Sequence, residues 1–204
     1  MSRIDRIKKI FAASKNYRAL GENIVCTDGK YYYKTPGIVW KILFYWRMSS
    51  HKEIKKSIDL IHEYFWTSCH VVHTQIIKAP EGNYILKQKE IKGELISKKD
   101  LDENPVLRGK FEWLMHQSEK MWKEKWYFLD ILGTDFFYKP NYIHNLMTNG
   151  EELYIFDFWL LDGHSRNIVF RLVSHIMYRF QSAVVHKHFL WDQKYNIFSK
   201  ILWG

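Results

Sequence analysis

The chain has 204 residues, of which 47% are hydrophobic, which excludes a disordered protein and allows one domain or two small lobes. Its only cysteines are Cys26 and Cys69, so a disulfide framework is excluded and a cytoplasmic, reducing location is expected. The net charge of +9 favours anionic partners: nucleotide phosphates, nucleic acid or an acidic membrane surface. No run of about eighteen apolar residues occurs, so no transmembrane helix is predicted.

The first ninety residues predict a helix, two strands, a second helix and two further strands. Residues 2–20 have apolar side chains at helical spacing, and Asp28-Gly29 between apolar runs predicts a hairpin. Residues 39–65 are largely helical in pattern, with a cap at Ser49-Ser50 that divides them. Residues 71–77 and 83–91 predict two strands, joined by a turn at 80–82.

The second half predicts two helices on either side of a hairpin. Pro105 fits the first turn of a helix that runs to about Lys125. Residues 126–142 read as irregular, and residues 165–190 as a last amphipathic helical region. The boundary between two lobes is expected within 92–104. The inward face predicted for the first of these helices consists of Phe111, Leu114, Met115, Ser118, Met121 and Trp122. One side of the last helical region carries Ile168, Leu172, His175, Ile176 and Phe180.

The hairpin at residues 145–158 is the most informative segment. Asn149-Gly150 lies between two apolar runs, which is the strongest short signal for a tight turn. Asn145 begins this hairpin and Asp157 ends its second strand. A carboxamide and a carboxylate brought together in this way could hold a divalent cation through their oxygens.

This order of elements resembles the protein-kinase-like fold, and in particular small atypical members such as bacterial lipopolysaccharide-core sugar kinases and RIO-type kinases. The resemblance implies an α+β, two-lobed protein-kinase-like fold. Residues 1–92 would form a small antiparallel-sheet N-lobe with an N-terminal helix, and residues 93–204 a short, mostly helical C-lobe. It also implies ATP and Mg²⁺ as cofactors and a kinase activity toward a sugar, lipid-linked or other small-molecule hydroxyl.

The resemblance also implies a role for each matching residue. Asn145 and Asp157 would hold Mg²⁺ against the nucleotide, and Lys34 would pair with its phosphates. Either Glu53 or Glu63 would orient that lysine, because both lie on the candidate helix. The nucleotide-binding segment would also include residues of the fifth strand and hinge, namely Gln88 and Glu90.

Several positions depart from the family pattern. No glycine-rich loop precedes the lysine, and Trp159 replaces the glycine of the Asp-Phe-Gly sequence. The position five residues before Asn145, where the family has its catalytic aspartate, is Pro140, which cannot accept a proton. Asp130 or Asp135 would then serve as the base, and the neighbouring His144 is another polar candidate.

Three further interpretations stay open from sequence alone. The chain could be a catalytically impaired pseudokinase that serves as a scaffold. It could be a basic nucleic-acid-binding module whose aromatic side chains stack on bases. It could also contact the inner membrane surface peripherally, through its basic N-terminal helix and the apolar tail Ile201-Leu202-Trp203, to reach a membrane-borne acceptor.

Overall fold

The computed structural model describes residues 23–36, 51–67, 69–78, 84–158, 160–164 and 168–190. The helix predicted over residues 2–20, the cap at Ser49-Ser50, the turn at 80–82 and the apolar tail lie outside the described residues. The described elements are of the α+β class. The strands are β1 (Asn23–Thr27), β2 (Tyr31–Pro36), β3 (His70–Val71), β4 (Thr74–Lys78), β5 (Tyr84–Lys89), β6 (Glu94–Ser97), β7 (Tyr127–Leu129), β8 (Tyr142–Thr148), β9 (Leu153–Ile155) and β10 (Leu160–Asp162). The helices are α1 (His51–Phe65), α2 (Lys98–Glu103), α3 (Pro105–Lys125) and α4 (Ile168–Val184).

The chain forms two compact units. The first unit comprises Met1–Leu60 and Val72–Lys92, and the second comprises Ile61–Val71 and Gly93–Gly204. The first unit contains an antiparallel sheet with the strand order β1-β2-β5-β4. Its apolar core includes one side chain from each of the four strands, namely Cys26, Tyr33, Ile77 and Ile85.

The hairpin of β1 and β2 forms where the sequence predicts it. The Asp28 Oδ1 atom accepts hydrogen bonds from the backbone N–H groups of Lys30 at 3.0 Å and Tyr31 at 2.8 Å. Gly29 takes a φ of +83°, which glycine adopts without steric cost. The aspartate thus closes the turn through its side chain, while the glycine supplies the left-handed backbone.

The strand predicted over residues 71–77 is wrong as a single element. The structure has β3, which pairs in parallel with β9 of the second unit, and β4, which pairs with β5 of the first. Between them the chain leaves both ladders, and the Thr74 hydroxyl donates to the Val72 carbonyl at 2.8 Å. Residues 71–77 contain no glycine, proline or asparagine, so no turn-forming residue marks the two-residue break at which the chain changes sheets.

The second unit contains two sheets and most of the described helical residues. One sheet has the order β3-β9-β8-β6, and the other consists of β10 and β7. Helix α3 begins after Asn104, as predicted near Pro105, and its predicted inward face is buried throughout. The irregular reading of residues 126–142 is wrong in part, because β7 and a 3₁₀ turn at Thr134–Phe137 lie there. Three-residue strands are too short to show a period of two.

Helix α4 falls within the predicted last helical region and continues into a π-helix at Val185–Phe189. Strand β10, which precedes it, was not predicted. Several large aliphatic side chains of α4 are exposed, whereas Ser174, Gln181 and Ser182 are buried. Within the described ranges, no helix has both the length and the apolar character needed to cross a membrane.

Candidate functional site

Strand pairing places Asp130 and Asp157 at the same end of a two-stranded sheet. Leu129, the last residue of β7, lies opposite Leu160, the first residue of β10. Asp130 immediately follows β7, and Asp157 lies in the connection that leads from β9 into β10. The two carboxylates are close enough for the negative charge of Asp157 to raise the pKa of Asp130.

The carboxyl group of Asp130 is buried, and its surroundings disfavour ionisation. Burial is the main cause that raises its pKa to about 6, and the Asp157 charge acts in the same direction. Backbone hydrogen bonds to the carboxylate oppose this shift, including one from the Gly133 N–H at 3.0 Å. Asp130 is therefore a carboxyl that can exchange a proton near neutral pH, as general acid–base groups do.

Asn145 joins the same cluster. Its Nδ2 atom donates to the Asp130 backbone carbonyl at 2.8 Å, and its backbone N–H donates to the Ile131 carbonyl at 3.1 Å. Asn145 is the fourth residue of β8 and directly precedes Leu146, where the pairing of the hairpin with β9 begins. The strand extends further because Ile143 pairs with Ile96 of β6. With its nitrogen directed to Asp130, the amide presents Oδ1 as the atom that could bind a cation.

The turn of this hairpin follows the sequence prediction. Gly150 has a φ of +93°, and the Asn149 Oδ1 atom accepts from the N–H groups of Glu151 at 3.1 Å and Glu152 at 2.8 Å. Leu146 lies opposite Ile155 in the antiparallel pair. The turn therefore sets the register that carries Asn145 and Asp157 back to the same region.

Two residues that sequence reasoning missed hold the loop around Asp130. Gln181 of α4 is fully buried; its Oε1 accepts from the N–H groups of Ile131 at 3.0 Å and Leu132 at 3.2 Å, and its Nε2 donates to the Leu129 carbonyl at 2.7 Å. Gly133 has a φ of +63° and lies against the Asn145 side chain. No local signal marks Gln181, because it is one of several polar residues in the amphipathic stretch Ile168–Val184.

The donor set of this cluster fits Mg²⁺ in its chemistry. Asp130, Asn145 and Asp157 offer only oxygen donors to a cation, and Mg²⁺ prefers carboxylate and carbonyl oxygens. In the part of the chain that the structure describes, no group of three or more His, Cys, Asp or Glu side chains is arranged to hold a metal ion. The candidate cation ligands are the Asn145 amide oxygen and the Asp157 carboxylate, with the Asp130 carboxyl beside them.

Four residues predicted for nucleotide binding lie in the first unit. Lys34 is buried in β2, between Val25 of β1 and Leu86 of β5. Gln88 is buried, and its amide donates to the Thr74 hydroxyl at 3.0 Å. Two acidic residues complete the set, with Glu53 in the first turn of α1 and an exposed Glu90 whose backbone N–H donates to Lys30.

The remaining predicted residues lie away from the cluster of Asp130, Asn145 and Asp157 or are not among the described residues. Glu63, in the second unit, pairs with Lys125 at 3.9 Å on the surface. The His144 ring contacts the Lys139 carbonyl at 3.2 Å, and Pro140 lies in an exposed turn. The side chain of Asp135 and the whole of Trp159 lie outside the described residues.

A separate cleft of about 390 Å³ lies between α3 and the π-helix, lined by Glu112, His116, Glu119, His186 and Leu190. Glu119 accepts from the Ser182 hydroxyl at 2.9 Å and contacts His186 Nε2 at 3.1 Å. The same interactions tie the end of α4 to α3. The polar residues of this cleft therefore have a structural role, which is to hold the two helices together.

No family model matches the chain, and no curated protein or solved structure is significantly similar to it. The resemblance to kinase-like proteins accordingly stays a prediction.

Proposed function

We propose that this chain is an atypical ATP- and Mg²⁺-dependent phosphotransferase with a kinase-like, two-lobed fold. Its acceptor would be a hydroxyl of a sugar, a lipid-linked molecule or another small molecule. The observation that supports this function is the cluster of Asp130, Asn145 and Asp157, joined by a hydrogen bond and by charge. The described elements begin with two strands and a helix, continue with four strands and a short helix, and then include a long helix and a hairpin, which is compatible with the fold.

Each residue of the cluster has a role in this proposal. When bound, Mg²⁺ would neutralise the phosphate oxygens. Asn145 Oδ1 and the Asp157 carboxylate would hold that ion, and Asp130 would accept the proton of the acceptor hydroxyl. Gln181 and Gly133 would fix the loop that carries the base. In the first unit, Lys34 keeps the phosphate-binding role that the resemblance implies.

The proposal is tested by ADP release from ATP and Mg²⁺, with sugars, lipid-linked sugars and small alcohols as acceptors. Asp157→Ala should lower turnover at least about a hundredfold, because it removes a ligand of the required ion. Asp102→Ala is the matched control, since Asp102 is a surface carboxylate of the same unit, paired with Lys98. Equal turnover in the wild type and Asp157→Ala would refute the enzymatic proposal.

One observation favours a pseudokinase as the second candidate. Pro140 occupies the position of the family base, and Asp130 precedes Asn145 by 15 residues instead of five. Nucleotide binding that depends on Asp157, without turnover on any acceptor, would support this candidate over the first.

A further inference from the structure

Helix α4 is inverted in polarity relative to an ordinary packed helix. Its buried positions are small or polar, while its large aliphatic side chains face outward. The exposed α4 face consists of Ile168 (69% exposed), Val169 (66%), Leu172 (61%), Val173 (43%) and Ile176 (56%). Successive members of this set are one or three residues apart, so they lie on one side of a helix with about 3.6 residues per turn. A contiguous exposed apolar face of this kind marks an interaction surface.

The opposite side of α4 is fixed by specific contacts. The Tyr178 ring stacks on Trp122 with 4.4 Å between ring centroids, and His175 meets Trp122 edge-on at 4.9 Å. Gln181 makes three hydrogen bonds, to Leu129 at the end of β7 and to Ile131 and Leu132 of the loop that follows it. Rotating the helix to bury its aliphatic residues would break these contacts, so the face stays outward.

The charge on this helix has one sign. Residues Ile168–Val184 include Arg171 and Arg179 and no aspartate or glutamate. Both arginines, with His164, act on His175, whose pKa is lowered first by burial and then by these positive groups. Arginine stems can lie along an apolar surface while their guanidinium groups reach phosphates. A second copy of the chain docked through the same face would bring no countercharge, whereas an anionic lipid surface would.

An aromatic residue lies beside the same helix. Trp126 is 39% exposed, and its ring lies 5.1 Å from that of His175 and 5.4 Å from that of His164. Tryptophan is enriched where apolar and aqueous phases meet, because its ring is apolar and its N–H is polar.

We propose that the exposed α4 face binds an anionic phospholipid surface, with its aliphatic side chains in the acyl boundary and the exposed Arg171 among the headgroup phosphates. This docking goes beyond the phosphotransferase proposal, since it requires neither nucleotide nor metal. It differs from membrane contact through the N-terminus, because it lies on a helix of the second unit.

The test is flotation of the full chain, without nucleotide, with phosphatidylcholine vesicles that contain or lack phosphatidylglycerol. The wild type should float with the vesicles that contain phosphatidylglycerol and should not float with the neutral ones. Leu172→Glu should lower the bound fraction about tenfold or more, because it places a like-charged group in the lipid boundary. Val106→Glu is the matched control, an exposed aliphatic residue (64%) on α3 of the same unit, and it should bind as the wild type does.

Two further variants make the result unambiguous. Ile176→Ser should weaken binding without adding charge, and Asp157→Ala should float as the wild type, which separates docking from catalysis. Undiminished binding by Leu172→Glu and Ile176→Ser would overturn the proposal. Equal binding to neutral and anionic vesicles would also overturn it. A third contrary result would be that the wild type is a dimer, that Leu172→Glu is a monomer, and that neither protein floats with vesicles.

Discussion

The side-chain amide of Asn145 is oriented by a backbone carbonyl, and this contact links two segments 15 residues apart in the chain. Asn145 and Asp157 could be singled out from sequence because a recognisable turn brings them together. Gly133 and Gln181 could not, since they act through the backbone of a loop. The hydrogen bonds of Gln181 span about fifty positions, and no local pattern encodes such contacts.

At the residue scale, Gly133→Ala should damage the candidate site. Its φ of +63° is strained for alanine, and the new Cβ would lie 3.2 Å from Asn145 Oδ1. We expect a loss of about 1–2 kcal/mol in the free energy of unfolding, together with weaker binding of Mg²⁺ and ATP. Chemical denaturation and calorimetric titration measure these two quantities.

Gly150→Ala is the control for this change. Gly150 has a φ of +93° and open space around its Cβ position, so alanine there carries the backbone strain without the collision. Gly150→Ala should lower the free energy of unfolding about as much as Gly133→Ala does, but it should bind Mg²⁺ and ATP as the wild type does. Equal loss of binding in both variants would contradict the role assigned to Gly133.

Gln181→Ala removes three hydrogen bonds from the loop that carries Asp130. Because buried backbone groups would be left unpaired, we expect a loss of about 2–4 kcal/mol in the free energy of unfolding. Turnover should fall as well. Ser182→Ala is the control, since its buried hydroxyl bonds to Glu119 away from that loop. If Ser182→Ala reduced turnover as much, general destabilisation would explain both results.

At the scale of elements, helix α3 shows what sequence patterns can predict. Its beginning near Pro105, its end at Lys125 and its buried face all agree with apolar spacing and cap preferences. The division of residues 71–77 between two sheets was unpredictable, because the identity of a strand's partner depends on contacts far away in the chain. The spacing of apolar residues likewise predicts that α4 has an apolar side. It does not tell whether that side is buried or exposed, and the structure has it exposed.

The cap of α3 provides a prediction at this scale. The Asn104 Oδ1 atom accepts from the N–H groups of Val106 at 3.1 Å and Leu107 at 3.0 Å, and its Nδ2 donates to the Gly150 carbonyl at 2.7 Å. Asn104→Ala should lower the free energy of unfolding by about 1 kcal/mol or slightly more. Thermal denaturation should show this as a lower Tm.

The control for the cap is Glu103→Ala, one residue earlier. Glu103 is exposed and lies in a long surface contact with Lys99 at 3.9 Å, so its removal should change the Tm little. A Tm for Asn104→Ala that matches the wild type would show that the cap does not stabilise the helix.

At the scale of the whole molecule, each unit contains one buried cysteine. Burial, followed by the Asp28 charge, raises the pKa of Cys26 from 9.0 to about 11. Burial is also the main cause that raises the pKa of Cys69 to about 12. Both thiols are therefore protonated in the folded protein at a pH where the unfolded chain begins to ionise.

Because the folded pKa values are raised, the thiols contribute stability that is fully present below pH 9, the ordinary pKa. This contribution is lost as the pH rises through about 11 and 12. Denaturation at a series of pH values should show a free energy of unfolding that falls over this range. In Cys26→Ala and in Cys69→Ala, the free energy of unfolding should fall less steeply with pH than in the wild type. Unchanged slopes in both variants would show that the two thiols do not cause the loss of stability.

The most direct test of the central claim, that Asp130, Asn145 and Asp157 form a metal–nucleotide site, is Mn²⁺ binding measured by electron paramagnetic resonance in the presence of ATP. Mn²⁺ takes the same oxygen ligands as Mg²⁺ and gives a spectroscopic signal. The account predicts that the full chain binds Mn²⁺–ATP, that Asn145→Ala and Asp157→Ala weaken this binding at least about tenfold, and that Asp102→Ala leaves it unchanged. Binding of equal strength in all four proteins, or in none of them, would contradict it.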